Sequence, residues 1–295
     1  MPPSVPSDDP GPGWTRQRWL LAVGALAFAL AIYFSLTNLP PRTDEFNWGL
    51  LLLVLVVLAP LTVLLGGLEY AATGRLLGFR IGVMESLTIS VVSSAANLLP
   101  IPGAYLVRAR ALMEKGSTTR RSAASPLAVG VTWIATAALV AGVWSVVTQP
   151  SGFAVIVLIG GVGAMAIALG SLRSLLGAWA PGPILGVLAV ELATVLVSAA
   201  RYQLVLEASG FEANFAQGLV LALSTVLASA VGIIPGGLGL REALAAFFAP
   251  LASLPAASGA LASIINRIIG LLALALIALF VMLRKKPLDP ADGSA

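Results

Sequence analysis

Long apolar segments separated by short polar ones dominate this chain, and they predict membrane-spanning helices. Each segment has about 20 or more residues, the length that an α-helix needs to cross the ~30 Å hydrocarbon core of a bilayer. The polar residues between them include Pro, Gly and Asn, which are typical of turns. We predict six full transmembrane helices, at about Trp19–Asn38, Trp48–Leu68, Ser125–Val147, Phe153–Leu172, Ile184–Leu206 and Ala257–Leu283.

Two further apolar segments differ because Pro and Gly residues interrupt them. They lie at about residues 83–112 and 216–250, and they contain the sequences NLLPIPG and IIPGGLG. Proline ends a helix, and glycine adopts backbone conformations that other residues avoid. A break at membrane depth is tolerated only where protein or a water-filled cavity satisfies the freed backbone groups. We therefore predict two re-entrant hairpins, with turns that contain Pro100, Pro102, Gly103, Pro235, Gly236, Gly237 and Gly239.

The distribution of Lys and Arg supports this arrangement over the alternative of eight transmembrane helices. If all eight segments cross, the two sides of the membrane carry equal numbers of basic residues. If the two broken segments return to the side they entered, 13 of the 17 basic residues lie on the inner side and only Arg42 lies outside. Arg201, Arg241 and Arg267 are within the membrane in both cases. Because positive loops stay inside, we predict six crossings, two hairpins and cytoplasmic termini.

The two broken segments also resemble each other. Gly78-Phe79 precedes the first, Gly210-Phe211 precedes the second, and each segment then contains a Pro turn followed by an arginine, Arg108 or Arg241. In the predicted topology the hairpins enter from opposite sides. This pattern predicts an inverted repeat whose broken helices meet near the midplane, as in many secondary transporters.

Composition assigns most of the chain to one membrane domain. Of the 295 residues, 58% are hydrophobic and 10% are charged, against about 25% charged in soluble domains. We place the membrane domain at residues 16–284, between a disordered N-terminal tail at 1–15 and a cytoplasmic tail at 285–295. The pI of about 9.9 does not indicate nucleic-acid binding, because the basic residues flank apolar segments, where they set topology and contact anionic lipid.

The chain has no Cys and no His. This excludes disulfides, thiolate metal sites and every mechanism that depends on histidine as a base, nucleophile or ligand. We therefore expect no cofactor, no metal site and no enzyme activity.

Ionisable residues inside the membrane segments are the candidate functional residues, because charge at that depth is costly. Arginine beside a glycine turn suits a phosphate group. Several alternatives stay open: Arg267 could form a structural pair with Glu242 or Glu191, Arg201 could reach the membrane surface, and Glu69 could be solvated at a helix end. The candidates for lipid-phosphate binding are Arg241, Arg267, Arg201 and Arg108, and those for gating or charge pairing are Glu242 and Glu191.

Two stretches carry a family resemblance. The sequences NLLPIPGAYLVRARAL and IIPGGLGLREALAAFF, followed by Asn266-Arg267, resemble the transmembrane region of lysylphosphatidylglycerol synthases, a flippase-like family. The chain is similar to members that lack the synthase domain. The resemblance implies transport of an anionic lipid across a prokaryotic cytoplasmic membrane, either aminoacylated phosphatidylglycerol or a polyprenyl-phosphate-linked lipid. The first stretch departs from the family pattern in lacking an acidic residue after Gly103.

These observations favour a lipid flippase over two alternatives. One is a membrane enzyme resembling polyprenyl-pyrophosphate phosphatases, although no Ser lies beside Arg241. The other is a non-transporting membrane subunit for a partner glycosyltransferase or lipid synthase. Phosphate release from farnesyl pyrophosphate would indicate the first, and stable co-purification with a partner enzyme without translocation would indicate the second.

Overall fold

A computed structural model describes residues 12–38, 46–98, 103–148, 150–176, 181–231 and 235–284, and every regular element in these ranges is a helix. Five helices are long and apolar enough to cross a membrane. The described part of the chain is thus an all-α, multi-pass membrane protein, and the prediction of this fold class is confirmed. Pro100, Pro102, Arg42, residues 1–11 and the predicted C-terminal tail lie outside the described residues.

Eleven α-helices follow one another along the described ranges. They are α1 (Pro12–Asn38), α2 (Trp48–Leu53), α3 (Ala59–Leu76), α4 (Val83–Ala96), α5 (Gly103–Glu114), α6 (Thr119–Thr148), α7 (Gly152–Leu176), α8 (Pro181–Ala208), α9 (Phe215–Val231), α10 (Leu240–Leu251) and α11 (Ala256–Arg284). A π-helical turn at Val54–Leu58 joins α2 to α3, so that Trp48–Leu76 is one continuous span. A short 3₁₀ turn, Pro235–Gly237, precedes α10.

Several helix boundaries differ from the sequence prediction; α6, for example, begins at Thr119 instead of near Ser125. Helix α1 begins at Pro12, inside the predicted tail, and α3 continues to Leu76 instead of ending near Leu68. The extension of α3 contains buried residues from Tyr70 to Gly74, so it packs against protein and needs no lipid-facing apolar surface. A turn at Gly78 follows the helix, and the φ of 92° at this glycine permits the amide of Phe79 to donate to the carbonyl oxygen of Gly74.

The two broken segments form the helix pairs α4–α5 and α9–α10. In the first pair, a Cβ atom at Gly103 would lie 2.1 Å from the carbonyl oxygen of Ala96, so only glycine permits this approach. In the second pair, Gly236, Gly237 and Gly239 have φ values of 56°, 65° and 76°. These values are in the left-handed region that glycine adopts at little cost, which explains why the turn is rich in glycine.

The turns of the two broken segments touch. The amide of Gly236 donates a hydrogen bond to the carbonyl oxygen of Asn97 over 2.8 Å. A Cβ atom at Gly236 would also lie 3.4 Å from Leu98 Cδ2. Although 139 positions separate Asn97 from Gly236 in the sequence, the end of α4 therefore meets the turn before α10.

Small residues set the spacing of the long helices. Gly142 of α6 and Gly161 of α7 lie so close to the facing backbone that a Cβ atom on either would come within 2.6 Å of it. Close contact through glycine is common between membrane helices. Gly160 and Gly163, which are close to Gly161 in the sequence, face open space instead. A Cβ atom on either would have no atom within 4 Å.

Candidate functional site

An ion pair between Arg267 and Glu242 fixes the turn of the second broken segment. Glu242 is fully buried at 0% exposure, and Arg267 is 8% exposed. The Nε atom of Arg267 donates to Oε1 of Glu242 over 2.8 Å, and its Nη2 atom lies 3.3 Å from Oε2. The same guanidinium donates to the carbonyl oxygens of Gly236 and Gly237 over 2.9 and 3.0 Å. Arg267 on α11 thus binds both the carboxylate and the backbone of the turn.

Glu242 also binds the backbone of the turn. Its Oε2 atom accepts a hydrogen bond from the amide of Gly239 over 2.9 Å, at the N-terminus of α10. A carboxylate at this position satisfies a free amide and interacts favourably with the helix dipole. Most N–H groups of Arg267 are already used within the turn. This geometry favours the structural pair with Glu242, which the sequence left open as the alternative to phosphate binding by Arg267.

Arg201 and Arg241 lie near this pair without a carboxylate of their own. Arg201 is 7% exposed, and it donates to Oγ1 of Thr62 over 3.1 Å and to the carbonyl oxygen of Asn266 over 3.0 Å. Its guanidinium is therefore directed into the protein and does not reach toward the membrane surface. Arg241 is half-buried, and its Nε atom lies 3.4 Å from the hydroxyl oxygen of Tyr202.

The resulting cluster has excess positive charge. Arg241 repels both Arg201 and Arg267 electrostatically. Within the described residues, Glu242 is the one carboxylate in an ion pair with any of these three arginines. A buried charge without a partner is costly, and charge-assisted hydrogen bonds to an anion would offset that cost. The cluster is therefore suited to an anionic group.

A second cluster joins Arg108, Glu69 and Glu191. Nη1 of Arg108 lies 2.5 Å from Oε1 of Glu69, and Nη2 lies 3.4 Å from Oε2. Glu191 of α8 is 2% exposed, and its Oε1 atom has no hydrogen-bond partner within the described residues. Because α3 continues past Leu68, Glu69 lies within a helix and faces protein. The interpretation of Glu69 as a solvated helix end is thus replaced by an ion pair with Arg108.

A polar cavity of about 560 Å³ surrounds this second cluster. Parts of both broken segments form its wall, together with α3, α6 and α8. Three buried polar atoms of residues in this wall lack hydrogen-bond partners in the described part of the chain: Nε of Arg108, Nε1 of Trp133 and Oε1 of Glu191. These three atoms have almost no accessible surface of their own, so they are unpaired inside the wall and are not presented to the cavity. Further polar lining residues are Thr62, Ser93, Ser94, Asn97, Tyr105, Thr194 and Ser229.

The cavity and the arginine cluster adjoin each other. Thr62 lines the cavity and also accepts the hydrogen bond from Arg201. Asn97 lines the cavity as well, and its carbonyl oxygen binds the amide of Gly236 in the turn that Arg267 holds. The two clusters are therefore separate groups of charges on either side of the junction between the broken segments.

The structure thus divides the candidate residues of the sequence between two places. Arg201, Arg241, Arg267 and Glu242 form the first cluster, and Arg108 and Glu191 belong to the second. Sequence reasoning did not identify the roles of Thr62, Trp133 or Tyr202. Tyr202 adjoins Arg201 in the sequence, and a polar aromatic residue next to a membrane arginine is the one signal that could have indicated it.

The chain matches no family model and no curated protein. Its resemblance to the transmembrane region of lysylphosphatidylglycerol synthases therefore stays a prediction. Among the described residues, no group of three or more acidic, Cys or His side chains is placed to hold a metal ion. The ligand chemistry of the site must be inferred from its arginines, its carboxylates and its cavity.

Proposed function

We propose that this protein is a flippase-type transporter that binds the head group of an anionic lipid in the polar cavity and moves it across the membrane. The observation that carries this proposal is the position of the cavity. It lies where both broken segments meet, and it adjoins buried arginines whose charge Glu242 only partly balances. The apolar chains of the lipid would stay outside the head-group cavity.

The proposal includes six crossing helices and two re-entrant hairpins related by an inverted repeat, with both termini in the cytoplasm. Helices α4, α5 and α10 have 14, 12 and 12 residues, which corresponds to about 18–21 Å at 1.5 Å per residue. These lengths are too short for a ~30 Å hydrocarbon core. Hairpins that enter from opposite sides would meet near the midplane, in agreement with the contact between Gly236 and Asn97.

The arginine cluster beside the cavity suits a phosphate group, whereas the cavity wall itself has one arginine, Arg108, and two carboxylates, Glu69 and Glu191. Moving a phosphate out of water is costly unless cations and hydrogen-bond donors replace its hydration. Arg241 belongs to the adjoining cluster and does not line the cavity. It is half-buried and has Tyr202 as a weak partner, so its guanidinium has donors to offer to a head group that extends toward the cluster. Arg108 could exchange its carboxylate partner Glu69 for a phosphate oxygen without leaving the cavity. Arg267 and Glu242 would keep the turn in place, and Arg201 would add positive potential.

The Arg241→Gln variant tests the proposal. Charge-assisted hydrogen bonds contribute about 1.5–3 kcal/mol, which corresponds to roughly 10- to 100-fold in affinity. We expect this loss in the binding of phosphatidylglycerol relative to phosphatidylcholine, measured by native mass spectrometry of delipidated protein. We also expect slower translocation of fluorescent phosphatidylglycerol in proteoliposomes. The folded state is checked by size-exclusion chromatography and circular dichroism.

Arg110→Gln is the matched control. Arg110 is 79% exposed and pairs with Glu114 on the surface of α5, so its loss removes the same charge away from the site. It should bind and translocate the lipid as the wild type does. Equal behaviour of both variants and the wild type would contradict the proposal. Selective binding without translocation would indicate a non-transporting subunit instead.

A further inference from the structure

Helices α6 and α9 enclose a series of four cavities that share lining residues. The polar cavity at the first end is joined to a second one of about 290 Å³, since Arg108 and Trp133 line both. A third cavity of about 260 Å³ shares Ile134 and Val226 with the second. A fourth, of about 410 Å³, shares Phe153 with the third. The four cavities thus follow one another along the same two helices.

This series follows α6 over most of its length. On α6 it runs from Pro126 in the first cavity to Thr148 in the fourth, which is ~33 Å of helix at 1.5 Å per residue. The hydrocarbon core of a bilayer is ~30 Å thick. On α9 the order is reversed, from Ala230 in the first cavity to Ala216 in the fourth, because the two helices are antiparallel. This part of α9 is ~21 Å long at 1.5 Å per residue, which is shorter than the hydrocarbon core and agrees with a hairpin that ends within the membrane.

The chemistry of the lining changes along the series. The first cavity contains the Arg108–Glu69 pair, and the fourth contains Ser145, Gln217 and other polar residues. The third cavity lies between them and has an apolar lining. Its residues include Ile134, Ala138, Val157, Leu223, Leu227 and Phe248. We call the second and third cavities together the α6–α9 groove.

We infer that the α6–α9 groove binds one apolar chain of the lipid whose head group occupies the polar cavity. This inference rests on the proposed function and specifies how that site recognises its substrate. The second cavity shares Arg108 and Trp133 with the first. An apolar lipid chain attached to a head group beside Arg108 would therefore enter the groove directly. The apolar lining of the third cavity excludes the head group and favours hydrocarbon.

Two glycines leave room for such a chain. Gly130 lines the first and second cavities, and Gly160 lines the third. An ideal Cβ atom on either would meet no atom within 4 Å. Glycine weakens a helix relative to residues such as leucine, so a larger side chain at Gly160 would fill the groove without weakening α7.

The test compares Gly160→Leu with Gly163→Leu. Both positions are on α7, both face open space and both substitutions favour helix formation, but Gly163 does not line any of the four cavities. The probe is phosphatidylglycerol with a photoreactive diazirine on one acyl chain, in nanodiscs of phosphatidylcholine. After irradiation, the labelled peptides are identified by mass spectrometry, and phosphatidylglycerol binding is measured in parallel.

We expect the wild type and Gly163→Leu to be labelled on α6 and α9 near Ile134 and Leu223. We expect this labelling to decrease about tenfold in Gly160→Leu, because the leucine side chain occupies the space of several methylene groups. Labelling spread over the outer faces of the helices, or equal labelling of both variants, would overturn the inference. If selectivity for phosphatidylglycerol persisted in that case, the proposed function would stand. If the wild type showed no such selectivity, both would fail.

Discussion

The Arg267→Met variant provides a direct test of how the second broken segment is held together. In the wild type, the guanidinium of Arg267 binds the carboxylate of Glu242 and the carbonyl oxygens of Gly236 and Gly237. Methionine is apolar and shorter than arginine, so it fills the space of the aliphatic part of the side chain without replacing any of these hydrogen bonds. The variant therefore leaves a carboxylate and two carbonyl groups without their partner in the protein interior.

The expected loss of stability follows from the burial of Glu242. Removal of one partner of a buried ion pair typically destabilises a protein by about 3–5 kcal/mol, because the other charge stays buried and unpaired. Glu242 has 0% exposure, so solvent does not compensate for the loss. Each unsatisfied carbonyl group adds a cost of roughly 1–3 kcal/mol, partly relieved by relaxation of the turn. We expect a decrease in the free energy of unfolding of at least about 3 kcal/mol.

The assay is equilibrium unfolding in mixed detergent micelles, followed by circular dichroism. Arg110→Met is the control, since the Arg110–Glu114 pair is exposed and should contribute little to stability. The double variant Arg267→Met/Glu242→Leu removes the unpaired charge as well as the arginine. We expect it to be less destabilised than the sum of the two single variants, with a coupling of about 1–3 kcal/mol.

Two results would refute this reasoning. The first is a free energy of unfolding of the Arg267→Met protein within ~1 kcal/mol of the wild-type value, which is too small a change for a broken buried ion pair. The second is additive effects in the double variant, because side chains that share hydrogen bonds should be coupled. Either result would mean that Arg267 does not hold the turn, and it would return Arg267 to the candidates for lipid-phosphate binding.

Two further predictions concern the first broken segment and the polar cavity. Glu69→Gln releases Arg108 from its ion pair, so phosphatidylglycerol binding by native mass spectrometry should strengthen about tenfold; weaker binding would contradict a phosphate contact by Arg108. Gly103→Val places a Cβ atom 2.1 Å from the carbonyl oxygen of Ala96, so its unfolding midpoint should fall clearly below that of Gly82→Val, where no atom lies within 4 Å. Equal midpoints for these two variants would show that α4 and α5 are not closely packed.

The helix class and the two interruptions were predictable because their causes are local. An apolar segment of about 20 residues has few alternatives to a membrane helix, and the run of glycines from Gly236 to Gly239 has a local reason to turn. The end of α3 was not predictable in this way. Hydropathy reports contact with lipid, whereas Tyr70, Ala71 and Ala72 are buried against protein and continue the helix past Glu69.

The pairing of charges depends on tertiary structure. From the sequence, Arg267 had Glu242 and Glu191 as candidate partners, at separations of 25 and 76 residues, and nothing local distinguished them. The fold distinguishes them because α11 packs along α10, and the turn before α10 presents two free carbonyl groups beside Glu242. Glu191 instead faces the cavity with Glu69 and Arg108. The sequence could therefore identify the ionisable residues but not divide them into two clusters.

The contact between the broken segments suggests how the two halves would respond together to a bound lipid. Asn97 lines the polar cavity, and its carbonyl oxygen accepts the hydrogen bond from Gly236. The carbonyl oxygen of Gly236 in turn accepts from Arg267 on α11. A head group that displaced Asn97 would alter a hydrogen bond to the opposite turn, while the Arg267–Glu242 pair would keep that turn folded. Under the proposed function, movement would then occur between the hairpins and not within the second turn.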